Sequence, residues 1–340
     1  MRLQVIHETR YDYTPAVETA QHVAHLQPRD TASQRLLQHR LVVTPQPDEL
    51  RTGRDVFGNM RSFFALQTGH DELRVVADSV VETQVPLRPA SPLGWEQVRD
   101  RFRYRAGSAY DAASEYLFPS PYVPRHADFM DYVRPSFTPG APLLAAADDL
   151  MRRIHRDFEY ASESTEINTP AVEALAQRKG VCQDFAHIMV ACLRMLGLPA
   201  RYVSGYLLTQ PPPGQPRLVG ADASHAWVSL YVPDVADHDG WYDFDPTNDR
   251  APGEDYVTLA VGRDFSDVSP MRGVIHGGAR HILHVGVTVA PLPEPGEAEG
   301  DGPSPSPSPS PSPSPSPSQS QSQSQSQSQS QSQSQSQHQE

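Results

Sequence analysis

Three short motifs in the second half of the chain carry side chains able to do acyl-transfer chemistry. In Gly180-Val181-Cys182-Gln183-Asp184-Phe185-Ala186 a thiol stands where a glycine closes one helical pattern and another opens. Ser224-His225-Ala226-Trp227 follows, with His225 43 residues after Cys182, and Trp241-Tyr242-Asp243-Phe244-Asp245-Pro246-Thr247 puts Asp245 20 residues further on. A thiol on the first turn of a helix faces unpaired backbone N–H groups and the positive end of the helix dipole, and both favour the attacking thiolate. A cysteine nucleophile also needs a group that accepts and returns a proton, and another that fixes that group's orientation. His225 and Asp245 have the right types. Asp243 alternates onto the same face as Asp245, so periodicity does not separate the two; the Asp-Pro-Thr context favours Asp245.

Neighbouring residues have blander roles. His187, five residues past Cys182, lies about 140° around a helix from it, which suits a packed or hydrogen-bonded histidine better than a base. Cys192 falls on the apolar stripe Phe185, Ile188, Met189, Cys192, Leu193 and Leu196, and is expected in the core. Trp227 and Trp241 read equally as walls of a cleft or as core, and Arg201 and Tyr206 are weaker candidates for lining the site. The Pro- and Gly-rich loop from Thr209 to Ala223 leads into His225 and is the best-placed rim for selecting substrate. The backbone N–H of Cys182 is the natural first donor to an oxyanion.

To position these groups the chain needs a helix beginning at Cys182 and ending at Gly197, lying on strands at 201–208, 226–232 and 241–245. A His and an Asp opposite each other on neighbouring antiparallel strands, about 4.8 Å apart, would be within hydrogen-bonding reach. Upstream, apolar spacing predicts a helix over 143–158, and Thr169-Pro170 marks the cap and first position of a short one through Arg178. The first 85 residues read as short strands (3–7, 38–43, 63–66 and 73–81), with a turn at 55–60, a β-rich domain. Residues 86–140 form a Pro- and aromatic-rich connector with one short helix near 95–102. Helices followed by antiparallel strands describe an α+β core over 141–262, and 263–290 is an extension ending in a strand at 281–290. From 291 to 340 the chain becomes Glu/Gly, then Ser-Pro, then Gln-Ser repeat, too poor in apolar residues to offset chain entropy, and disorder is expected there.

The motifs resemble a known family. Gly180 to Gln183 with Phe185-Ala186, then the run Arg194 to Tyr206, Ser224-His225-Ala226-Trp227 and Phe244-Asp245-Pro246-Thr247 are similar to the core of the bacterial transglutaminase-like superfamily. Tyr11-Asp12-Tyr13, Leu26-Gln27-Pro28-Arg29 and Asp55-Val56-Phe57-Gly58-Asn59 resemble the β-rich region that precedes this core in bacteria. The resemblance implies a papain-like fold with Cys182 as nucleophile, His225 as acid and base, and Asp245 as orienter. Family members include proteases, peptide amidases and amine-transferring enzymes.

Composition narrows the partners. Formal net charge is −13, and Glu294, Glu297, Glu299, Asp301 and Glu340 lie in a tail free of Lys and Arg, leaving about −8 on the rest. No basic stripe stands out, which argues against nucleic acid. Cys182 and Cys192 would be separated by about 15 Å of helix, too far for a disulfide, so a reducing compartment fits. With neither an apolar leader nor a spanning segment, the expectation is a cytoplasmic protein without a membrane partner. The 14 histidines are scattered, without His-Glu-x-x-His or paired-Cys spacing, and no phosphate-binding Gly loop occurs, so no metal or cofactor is expected. The reading that follows is a cysteine hydrolase of peptide or carboxamide bonds. Transfer of the same acyl group to an amine is the alternative, and a catalytically silent interaction module the third.

Overall fold

Alternation of apolar and polar residues from Leu3 runs well past the expected short strand. In the computed structural model, which describes residues 1–293 apart from 89, 108, 162–168, 210–223, 234–238 and 279, strand β1 spans Arg2–Ala24. Leu3, Val5, His7 and Thr9 are buried in strict alternation. Strands β2 (Gln34–Thr44), β3 (Glu49–Arg54), β4 (Met60–Leu66) and β5 (His70–Thr83) follow. The first half of β1 lies between β5 and a C-terminal strand, its second half between β4 and another. The loop expected to form a rim lies outside the described residues except for Thr209, as does the expected disordered tail except for residues 291–293.

The connector contains α1 (Trp95–Arg101), as its pattern suggested, together with a 3-10 turn at Ala112–Leu117 and α2 (Ala127–Val133), which it did not. Helix α3 (Leu143–Asp157), strand β6 (Glu159–Tyr160), α4 (Ala171–Gln177), strand β7 (Lys179–Gly180) and α5 (Cys182–Met195) come next. At α4 the cap residue is Pro170 rather than Thr169, one step later than the sequence suggested. Strands β8 (Ala200–Leu207), β9 (Ser224–Tyr231), β10 (Trp241–Phe244) and β11 (Tyr256–Gly262) form an antiparallel sheet ordered β10-β9-β8-β11. A short α6 (Phe265–Val268) leads to β12 (Met271–Gly277) and β13 (Arg280–Leu292), which return to pair with β1. The extension therefore completes the N-terminal sheet. Among the described residues no helix is long and apolar enough to cross a membrane.

Helix α5 is buried on all sides from Asp184 to Arg194. One flank meets α2, α3 and α4, and the other lies on Ala200, Tyr202, Ala226, Val228 and Leu230 of the sheet. An all-round buried helix is held in a single orientation, which is what a catalytic first turn requires. Arg194 anchors the far end: its guanidinium donates to the carbonyls of Ala200, Phe118 and Arg263 at 2.6–3.0 Å.

The two sheets join through Leu3, Val5, Val81, Tyr206, Val257, Leu259, Val287 and Val289, with the Tyr206 hydroxyl 2.9 Å from His7 Nδ1. Tyr206 thus belongs to this interface and not to the lining of a site. Strand β11 ends the second sheet, and an uncovered edge leaves backbone groups without partners. Asn59 covers part of it. Its Nδ2 donates to Val261 O at 2.7 Å and its Oδ1 accepts from Val261 N at 2.9 Å, while Gln34 does the same for Thr258 at 2.8 and 2.7 Å. The turn that delivers Asn59 has Gly58 at φ +80°, a left-handed conformation that suits glycine. Asn59→Ala would strand two buried backbone groups and is expected to cost about 2–4 kcal/mol. Urea unfolding checks this; an unchanged midpoint would show that the edge is not held this way.

Candidate active site

The chain enters α5 through a tight passage. Gly180 closes the parallel β6–β7 pair, and a Cβ there would stand 2.6 Å from Asp184 Oδ2, so only glycine fits. Asp184, itself 2% exposed, accepts the Val181 N–H at 2.9 Å and fixes the first turn. Cys182 occupies the first helical position, where the N–H has no carbonyl one turn back to bond. Its thiol is partly accessible. Tyr160 and Tyr202 lie within reach of its charge: burial first, then the negative charges of Cys182 and Asp184, push both phenols up, Tyr160 to about 12.

His225 opens β9, opposite Gly205 of β8. Its Nε2 lies 2.7 Å from Asp245 Oδ2, and Cys182 is close enough to act electrostatically on the same imidazole. Burial alone would lower the pKa of His225. The hydrogen bonds and charges of Asp245 and Cys182 outweigh it and raise the value from 6.5 to about 10.

Asp245 reaches His225 by a different route from the expected one. The β9–β10 register pairs Asp243 with Ser229 and Phe244 with Val228, so Asp245 is not directly across from His225. It stands just past β10, bridged to Arg250, where the chain turns. It is fully buried, and five donors converge on it. Oδ2 accepts from His225, Asn248 Nδ2 and Tyr256 Oη, each at 2.7 Å, while Oδ1 accepts the N–H groups of Thr247 at 2.8 Å and Asn248 at 3.3 Å. Burial works against its charge, yet these bonds hold its carboxyl below the usual range. Asp243, which periodicity could not separate from it, accepts the Trp227 indole N–H at 2.9 Å instead.

Asn248 and Tyr256 are the residues that sequence reasoning missed. Asn248 comes three residues after Asp245 and could have been sought as a turn partner, but Tyr256 carries no signal beyond an ordinary strand tyrosine. Trp227 is completely buried and is core, not a cleft wall. Trp241 packs edge-on against Tyr116, at a tilt against Tyr231, and under Arg201. His187 is 2% exposed, accepts the Phe265 N–H at 3.2 Å, and burial first lowers it to about 3, so it is neutral and turned from the chemistry. Cys192 is fully buried against Phe129 O, and burial pushes its thiol up. Among the described residues no cluster of His, Cys, Asp or Glu is arranged to hold a metal ion.

The raised His225 ties stability to pH. A histidine whose pKa is about 10 folded and 6.5 unfolded contributes stability fully present below 6.5 and lost as pH rises through about 10. Unfolding free energy of the wild type should therefore fall more steeply between pH 6.5 and 10 than that of His225→Gln. Parallel curves would rule the coupling out.

This fold and site place the chain in a family. The pattern described as the bacterial transglutaminase-like N-terminal region matches residues 3–82, and that of the transglutaminase-like superfamily matches residues 132–246. The chain belongs to the transglutaminase-like superfamily and has its fold. An uncharacterized protein of Mycobacterium tuberculosis is 40% identical over 298 residues, 85% of this chain and 93% of that one. A protein-glutamine gamma-glutamyltransferase of Pseudomonas aeruginosa is 33% identical over 132 residues, 38% of this chain and 19% of that one. Among solved structures, a proposed cysteine protease from Cytophaga hutchinsonii matches with a TM-score of 0.65 at 21% identity, over 86% of this chain and 91% of that one, a likeness of fold.

Proposed function

We propose that the protein is a cysteine hydrolase, a peptidase or amidase working through a thioester. The observation that carries the reading is the grouping of three residues: Cys182 on the first turn of a fully packed helix, His225 close enough to share charge with it, and Asp245 bonded to His225 at 2.7 Å. The Cys182 thiolate attacks the carbonyl carbon of a peptide or carboxamide, and the N–H of Cys182 faces the oxyanion that forms. The C–N bond breaks as His225 gives its proton to the departing nitrogen. Water then adds to the thioester, His225 takes its proton, and the thiolate leaves with the carboxylic acid released. Asp245 holds the imidazole throughout. The substrate is a peptide or protein, no cofactor takes part, and nucleic acid and membrane are not partners. Both cysteines are free thiols, which fits the cytoplasm; recovery of the protein from any other cell fraction would overturn that placement.

A second reading has a specific observation behind it: the relative named as a protein-glutamine gamma-glutamyltransferase is similar to this chain over 132 residues. The two reactions differ only in whether water or an amine reaches the thioester. Incubation with a glutamine-containing peptide and a labelled amine decides between them. Ammonia release without label in the peptide supports hydrolysis, and label incorporation matching turnover replaces it with transfer. If iodoacetamide alkylated Cys182 no faster than an ordinary free thiol near neutral pH, the fold would serve binding alone.

A further inference from the structure

A cavity of about 160 Å³ lies on the face of the β8–β9–β10 sheet turned away from α5, flanked by Arg29 to Ser33 of the chain that follows β1. Arg201 of β8, Ser229 of β9 and Asp243 of β10 form one row across this face, paired through the strand register. Arg201 lies 4.2 Å over the Trp241 ring, and Arg29, Arg201, Trp241, Asp239 and Asp243 all line the cavity.

The row holds unmet hydrogen-bonding capacity. The Nε–H of Arg201 is sealed from solvent and meets no acceptor among the described residues, and the Ser229 hydroxyl beside it has none either. Asp243, the carboxylate nearest in the row, already takes the Trp227 indole N–H on Oδ2. Arg29 bonds Asn59 Oδ1 at 2.8 Å and Phe57 O at 3.4 Å, both through Nη1. Burial lowers the pKa of Arg201 to about 10 and lowers that of Arg29 as well. Buried polar groups in folded proteins are nearly always hydrogen-bonded, and a stacked guanidinium with a free edge is shaped for a planar, two-oxygen acceptor. A carboxylate alone would also meet Asp239 and Asp243, which line the same cavity; a ligand that carries an ammonium group as well satisfies both kinds of lining group.

We propose that this cavity binds a small ammonium carboxylate, a free α-amino acid, with the carboxylate on Arg201 and the ammonium toward Asp243 and Asp239. The volume is of the order that accepts a ligand of about six heavy atoms, the size of alanine. The site is separate from the thiol and does not depend on the reaction proposed for it.

Calorimetric titration of the full chain with L-alanine, acetate and methylamine tests it. Alanine should saturate, with acetate and methylamine each weaker. Arg201→Gln should weaken alanine roughly tenfold or more. Arg201→Lys, which keeps the charge without the fork, should weaken it too, and it carries the test if the glutamine variant does not fold. Cys182→Ala should bind as the wild type does. Four results would overturn the proposal: no saturation by alanine at tens of millimolar, meaning that the cavity holds water only; acetate binding as well as alanine; unchanged affinity in the arginine variants; or loss of binding in Cys182→Ala.

Discussion

Cys182→Ala is expected to abolish thioester formation and to lower turnover by about a million-fold, the scale seen when a covalent nucleophile is removed from an assembled triad. In the proposed mechanism this thiol captures the acyl group, and Cys192 cannot replace it: that sulfur is fully buried and its thiol pushed up by burial. Cys182→Ser should be nearly as inactive, because His225 is set up to pair with a thiolate and not to strip a proton from an alcohol of far higher pKa. Stability should change by less than about 1 kcal/mol, since the side chain is partly exposed and removing it leaves little cavity. Mass spectrometry of the enzyme mixed with an activated acyl substrate would show an adduct on Cys182 in the wild type alone. Activity within tenfold of wild type in the alanine variant would sink the assignment.

The second large effect is expected at Asp245. Asp245→Asn keeps the shape but removes the charge, and an amide cannot accept from all of His225, Asn248 and Tyr256, which share Oδ2 at 2.7 Å. The imidazole loses its fixed orientation and the partner that favours its protonated form, so turnover should fall on the order of a thousand- to ten-thousand-fold. The fall in stability between pH 6.5 and 10 that belongs to His225 should shrink with it. Asp245→Ala adds a structural penalty of about 3–5 kcal/mol by leaving buried donors unpaired. Tyr256→Phe removes a single donor and should cost roughly tenfold in turnover. Single-turnover acylation of each variant, with melting curves alongside, separates the chemical from the structural loss. Should Asp243→Asn prove more damaging to acylation than Asp245→Asn, the roles of the two carboxylates are reversed.

Much of the architecture was legible because its signals are local. Apolar spacing marked α3 and α5, Gly197 marked the stop, and alternation marked β8, β9 and β10. The N-terminal strands were visible but underestimated. The first strand reads as 3–7, although pairing with β13 and β12 carries β1 on to Ala24. Strand β11 went unread because Tyr256–Gly262 lacks alternation: Val257 and Leu259 are buried between the two sheets, Ala260 in the helix-side core and Val261 beside Trp227.

The sequence by itself determined which side chains are proposed to carry the chemistry: a thiol at a helix start, a histidine at a strand start and a carboxylate in an Asp-Pro-Thr turn. Those are matters of residue type and local conformation, and a linear pattern records them. Only the tertiary structure decided which carboxylate holds the imidazole, because Asp243 and Asp245 share a strand parity and are told apart by a register two strands wide and by the turn to Arg250. Only it showed that Asn248 and Tyr256 secure that carboxylate, and that Asn59, some 200 residues from Val261 in the chain, covers the sheet edge beside it. Such choices rest on hydrogen bonds between distant segments, whose geometry exists only once the core has packed.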